Sequence, residues 1–243
     1  MPQPLPITLH ASAAETVGSG SAASVDITDT VARTLIELSV DVTAIDVSTT
    51  LTLFIETSLL GVSGWTTVAQ LALTAQGSTL VFVPGCKRFV RARWTLAGGG
   101  ATFAVTGTAH QIYAEPSDIT DVSVPEVTLS AITVPDRARQ CLRSSSEADD
   151  YLSGGYTLPL TAWPDSLRKH VANMAGYELL AKRGFDPDNP TDKILMTRQT
   201  QAISWLNTIQ SGKHRPVGML DTSPTSTETD VWIASENERG WLR

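Results

Sequence analysis

The sequence predicts an α+β protein: an N-terminal antiparallel β-sandwich, then an α-helical domain, then an extended C-terminal tail. Three observations predict it. Up to about residue 113, apolar residues recur at every second position between glycine- and proline-rich turns. Over residues 134–212 they recur three and four apart. Beyond Arg215 the chain turns polar. The expected divisions are 1–113, 114–215 and 216–243.

The first residues are rich in Pro, Ala, Ser and Thr, with Ile7 to Leu9 as an edge strand and Gly18 to Ser21 as a flexible loop. From Thr34 the alternation is clear. Ile36, Leu38, Val40 and Val42 share one face, and Leu35, Glu37, Ser39 and Asp41 share the other. Leu51, Leu53 and Ile55 point inward from the next strand, and Gly61 to Gly64 form a turn. A strand over residues 65–72 and a short one over residues 79–83 follow, the latter stopped by Pro84 and Gly85. Val90, Ala92, Trp94 and Leu96 then line one face, with Phe89, Arg91, Arg93 and Thr95 behind them. The Gly98-Gly99-Gly100 turn leads into a last strand that runs out at Tyr113. Strands at this spacing predict a compact sandwich.

The helical part opens at Pro135, where the missing N–H costs nothing, with Asp136 at the positive end of the helix. Ala138, Cys141, Leu142, Ser145, Ala148, Tyr151 and Leu152 make its apolar stripe. Arg137, Arg139, Arg143, Glu147 and Asp150 fall on the other face. Gly154 and Gly155 stop it. An extended joint, Tyr156 to Leu160 with Pro159 inside, leads to a second helix opened by Pro164. Its stripe is Leu167, Val171, Met174, Ala175, Tyr177 and Leu180, with Arg168, Lys169 and Glu178 facing away. A third helix, capped by Thr191 or Asp192, buries Leu195, Ala202, Trp205, Leu206 and Ile209 and ends at Gly212. The stretch between Val122 and Val134 has a Pro125-Glu126 start followed by β-branched residues, so any helix there is short. Three long helices with short loops pack as antiparallel neighbours.

Composition narrows the function. The 243 residues carry a formal net charge of −7, which argues against a broad basic face for duplex phosphate. The two cysteines, Cys86 and Cys141, fall in a strand and on a helical stripe, and read as buried free thiols rather than a disulfide. The opening residues contain neither a basic region nor a long apolar run, which argues against a signal peptide, and no stretch suits a bilayer crossing. His10, His110, His170 and His214 are not spaced as metal ligands. Neither a nucleophile elbow nor a Walker loop occurs, and Asp149-Asp150 reads as a solvated pair. These residues predict a protein that is not an enzyme and takes no cofactor.

The joint carries a family resemblance. Tyr151-Leu152, the Tyr156, Leu158, Pro159 and Leu160 joint, Pro164 and Leu167 resemble the centre of the bacteriophage Mu Gp36-like family of head–tail connector or adaptor proteins. Ala172 to Leu180, Gln201-Ala202, Leu206 and Gly212 keep that order, and Tyr113 with Pro116 and Asp118 resembles the family's opening. The resemblance covers residues 113 to 213, so the β-domain is additional. It implies a structural phage neck adaptor: a ring, a dodecamer matching the portal, joining the portal to the next neck, stopper or tail protein. DNA would pass through during packaging and ejection without being read. The implied location is the virion neck, assembled in the host cytoplasm, with the capsid as a further candidate contact and no membrane. The alternative is a non-enzymatic protein-binding or decoration module on capsid or tail.

Three sets of residues are candidates for contacts. Trp232, Ile233, Trp241 and Leu242 are apolar residues in a polar tail, read either as folding back on their own subunit or as anchors for portal docking. Arg137, Arg139, Arg143, Glu147 and Asp150 suit contacts between subunits. Lys87, Arg91 and Arg93 form a basic set on the sandwich surface, read either as a solvated strand face with carboxylate neighbours or as a contact surface.

Overall fold

The structure, a computed structural model, describes residues 5–27, 34–184, 186 and 188–220. Trp232, Ile233, Trp241 and Leu242 lie outside the described residues. The first part is built from β1 (Leu5–Glu15), β2 (Gly18–Ser21), β3 (Val25–Asp26), β4 (Thr34–Ile45), β5 (Thr50–Ser58), β6 (Thr66–Leu73), β7 (Gly77–Cys86), β8 (Phe89–Ala97) and β9 (Ala101–Gln111). They form two sheets, ordered β1-β9-β4-β7 and β2-β8-β5-β6, with β3 also on β8. All pairings are antiparallel. The alternation read from the sequence sets the packing. Ile36, Leu38, Val40 and Val42 of one sheet meet Leu51, Leu53, Ile55, Val90, Ala92, Trp94 and Leu96 of the other in one core.

Two strands depart from expectation. Gly18 to Ser21 is β2, paired with β8, rather than a loop. A side chain at Gly20 would meet the Trp94 indole at 2.5 Å, so the small residues of this segment let the backbone lie against that ring. β7 continues through Pro84 and Gly85 to Cys86. It can do so because the pairing slips there: Ile36 faces Val83 but Thr34 faces Cys86, a bulge on an edge strand that tolerates proline.

The second part comprises α1 (Pro116–Val122), α2 (Glu126–Leu129), α3 (Val134–Leu152), α4 (Asp165–Arg183) and α5 (Pro190–Gln210). Thr133 caps α3, accepting from the Asp136 N–H. Gly184, at φ 111, lies just past α4, and Gly212, at φ 69, lies just past α5. α4 is the hub. Residues 171–176 are all buried, because α1, α3 and α5 pack around the helix. Ala172, Ala175 and Gly176 permit that closeness, and a side chain on Gly176 would meet Ser123 Oγ at 2.5 Å. Arg168, expected to face away, pairs instead with buried Asp118 of α1 at 2.7 Å. Cys86 and Cys141 are both free and buried.

The two parts meet along a small seam. Leu35, expected on the outer face of its strand, is fully buried with Phe82, Ile112 and Ala138, and Leu142 packs at the edge. Arg139 lies over the Phe82 ring at 4.7 Å. Gln111, at the end of β9, donates from Nε2 to the Leu160 carbonyl at 2.7 Å, tying the last strand to the joint.

Candidate functional site

α3 carries most of the charged candidates, and its burial pattern sorts them. Arg143, Glu147 and Asp150 are exposed on one side. Arg139 is half-exposed and sits 3.6 Å from Asp136. Arg137, expected on this face, is instead buried. Its guanidinium grips Glu126 through both carboxylate oxygens, at 2.7 and 2.9 Å, and donates to the carbonyls of Leu129 and Ile132. The side chain reaches back over the first turn of α3 to the Glu126 carboxylate of α2 and to two backbone carbonyls that precede α3.

The exposed face has a divided charge, with Arg139 and Arg143 toward the helix start and Glu147 and Asp150 toward its end. That order opposes the helix dipole, which favours acids at the start and bases at the end. Burial raises the Glu147 carboxyl above its ordinary value, and the negative charges of Glu178 and Asp150 add to the rise. Like charges have therefore been gathered at one end of α3, with Glu178 supplied by α4.

Beneath this face lies a buried polar support. The Tyr113 hydroxyl donates to Asp149 Oδ1, and the Tyr113 N–H donates to Ser145 Oγ at 3.0 Å. Asp149 is thus buried, whereas a solvated pair with Asp150 was expected; residue 149 faces the core and residue 150 faces solvent. Burial pushes the Asp149 carboxyl up to about 6, against the lowering effect of the Tyr113 hydrogen bond. Burial and the neighbouring carboxylate push the Tyr113 phenol well above its usual range. Tyr113 also meets Trp163 edge-on, with centroids 5.2 Å apart.

On the sandwich, Arg91 and Arg93 converge on one carboxylate. Glu56 accepts from Arg91 Nε and Nη2 at 2.9 and 2.8 Å and from Arg93 Nε at 2.7 Å. Each arginine also covers an aromatic ring, Arg91 on Trp65 at 4.1 Å and Arg93 on Phe54 at 3.9 Å. Glu56 is held below its ordinary value: burial opposes ionisation, and the two arginines outweigh it. Arg88 pairs with Asp26 at 2.9 Å, and Lys87 is exposed.

The sequence reading passed over one surface. In the β5–β6 turn Leu59, Leu60 and Val62 are 65%, 66% and 87% exposed. The turn is nonetheless well held. Ser58 Oγ donates to the Ser63 carbonyl and accepts from the N–H groups of Leu60 and Gly61. Gly61, at φ 74, rests against Phe89, where a side chain would collide. Three large apolar residues inside a turn were the available signal.

Residues 113–233 match the family model described as Bacteriophage Mu, Gp36. No curated protein matches the chain. Among solved structures, the PBSX exported protein XepA is similar at 22% identity, covering 44% of this chain and 37% of that one, with a TM-score of 0.36. The structure of infectious bursal disease virus Gx strain is similar at 14% identity, covering 45% of this chain and 31% of that one, with a TM-score of 0.25. This chain therefore spans less than half the length of either.

Proposed function

Through residues 113–233 this chain belongs to the Bacteriophage Mu, Gp36 family, and on that premise we propose that it is a structural protein of the virion acting as a head–tail adaptor. Its copies close into a ring, a dodecamer, between the portal and the next neck or tail protein, and double-stranded DNA passes through. Family membership carries this reading, and the α3 surface supports it. A closed ring needs a heterologous interface, in which one patch of a subunit meets a different patch of its neighbour. The Arg139–Arg143 end and the Glu147–Asp150 end of α3 carry opposite charge, and in the ring each would meet its complement on a different neighbour. Arg137 takes no part, because it is spent within the chain. The residues matched by the family run past Leu220 to residue 233, which includes Trp232 and Ile233. They and Trp241 and Leu242 are the proposed portal anchors.

Charge reversal tests the interface. Arg143→Glu alone and Glu147→Lys/Asp150→Lys alone should each fail to form the ring while keeping the far-UV CD of the parent. An equal mixture should restore it, because alternating subunits recover complementary patches all round. If both variants assemble alone, or the mixture stays dispersed, the α3 interface is wrong. One observation favours a second reading, a protein-binding or decoration module of the virion: the exposed, rigid Leu59-Leu60-Val62 turn. Leu60→Ser/Val62→Ser would then abolish binding to capsid or tail and leave the ring intact.

A further inference from the structure

Between α1, α4 and α5 lies a cleft of about 400 Å³ lined by Val122, Lys169, His170, Asn173, Arg198 and Gln201. Its chemistry is mixed in an informative way. Lys169 and Arg198 bring positive charge, and Gln201 brings an amide. Arg198 is held in place by donating from Nη1 to the carbonyls of Val122 and Ser123, at 3.3 and 3.1 Å. The wall, however, carries polar atoms with nothing to bond. Asn173 is 3% exposed, yet its Oδ1 has no partner. His170 Nδ1 is likewise unpartnered. A buried polar atom without a partner is costly, on the order of 1–3 kcal/mol, and such groups in folded proteins are nearly always satisfied.

We propose that this cleft binds a phosphate group that still carries a proton, as inorganic phosphate or, below about pH 6, a phosphate monoester. The cations answer its negative charge. The unpartnered Asn173 Oδ1 is an acceptor and calls for a ligand that also donates, which the hydroxyl of hydrogen phosphate does. A carboxylate, sulfate or DNA phosphodiester carries no such proton. His170 stands at the wall with its ring stacked on Trp205, centroids 4.5 Å apart. Burial and then the Lys169 charge hold the imidazole below its ordinary value, and an anion in the cleft would raise it. None of its lining residues is among those proposed for the ring or the portal contact.

The probe is inorganic phosphate, with sulfate and dimethyl phosphate as proton-free controls, added to the full chain at constant ionic strength and neutral pH. Histidine side-chain NMR reads the result. Phosphate should move the His170 resonances saturably and leave those of His10 and His110 in place, and the controls should move them at least about tenfold more weakly. Methyl phosphate, a monoester that has lost most of its second proton at neutral pH, should act like phosphate only below about pH 6, whereas dimethyl phosphate should fail at either pH. Lys169→Gln, at an exposed position, should weaken the response about tenfold. Arg198→Gln should do the same, with CD confirming that the bundle is folded. Equal responses to phosphate, sulfate and dimethyl phosphate, or no response of His170, would overturn the proposal.

Discussion

Replacing Asp149 by asparagine should make the helical domain more stable at neutral pH and leave it unchanged at acid pH. Asp149 is 6% exposed and accepts the Tyr113 hydroxyl. Its carboxyl rises from an ordinary 3.8 to about 6, chiefly through burial. A native value above the unfolded one means that the folded state holds the proton more tightly. The favourable contribution is therefore complete below about pH 4 and is lost as pH climbs through about 6. The difference of about two units corresponds to about 3 kcal/mol. The substituted amide can still accept from Tyr113 and has no charge to bury. Urea unfolding followed by CD at 222 nm, at about pH 4 and about pH 7, tests this. The variant should match the parent at the lower pH and exceed it by up to about 3 kcal/mol at the higher. A variant that tracks the parent at both, or is weaker at neutral pH, would refute the reasoning, since ionised Asp149 would then be a net stabiliser.

Other substitutions probe the remaining structure. Gly176→Ala places a methyl 2.5 Å from Ser123 Oγ and 3.0 Å from Val124, and should cost about 1–3 kcal/mol of helical-domain stability in the same assay. Leu35→Ala empties the seam between sandwich and α3 and should cost about 2–5 kcal/mol, with the two parts then melting separately by calorimetry. Glu56→Gln removes the carboxylate shared by Arg91 and Arg93. Because Glu56 is held below its ordinary value, its contribution is present above the unfolded value and is lost as pH falls. The loss of sandwich stability should therefore be large at neutral pH and shrink in acid.

The strands of the sandwich core and the long helices were legible because each buries one face and their periods differ. Val90, Ala92, Trp94 and Leu96 needed only alternation, and Ala138, Cys141 and Leu152 only the helical stripe. What escaped reading was decided by neighbours. α4 is buried nearly all round, but Ala172, Asn173 and Gly176 carry no hydropathy signal that says so. Leu35 sits out of phase with its strand's core face and is explained only by α3 arriving over it. Arg137 and Asp149 look like surface charges until α2 and Tyr113 are placed beside them. The exposed face of α3 was readable in outline, and the polar cleft at His170 and Asn173 was not, since its residues come from three helices.

The most direct test of the adaptor reading is the mass of the full chain by light scattering, alone and mixed with the portal of the same phage. The account predicts a closed complex with the portal that is lost when residues 221–243 are removed, with the truncated chain still folded by CD. A monomer that ignores the portal would contradict it.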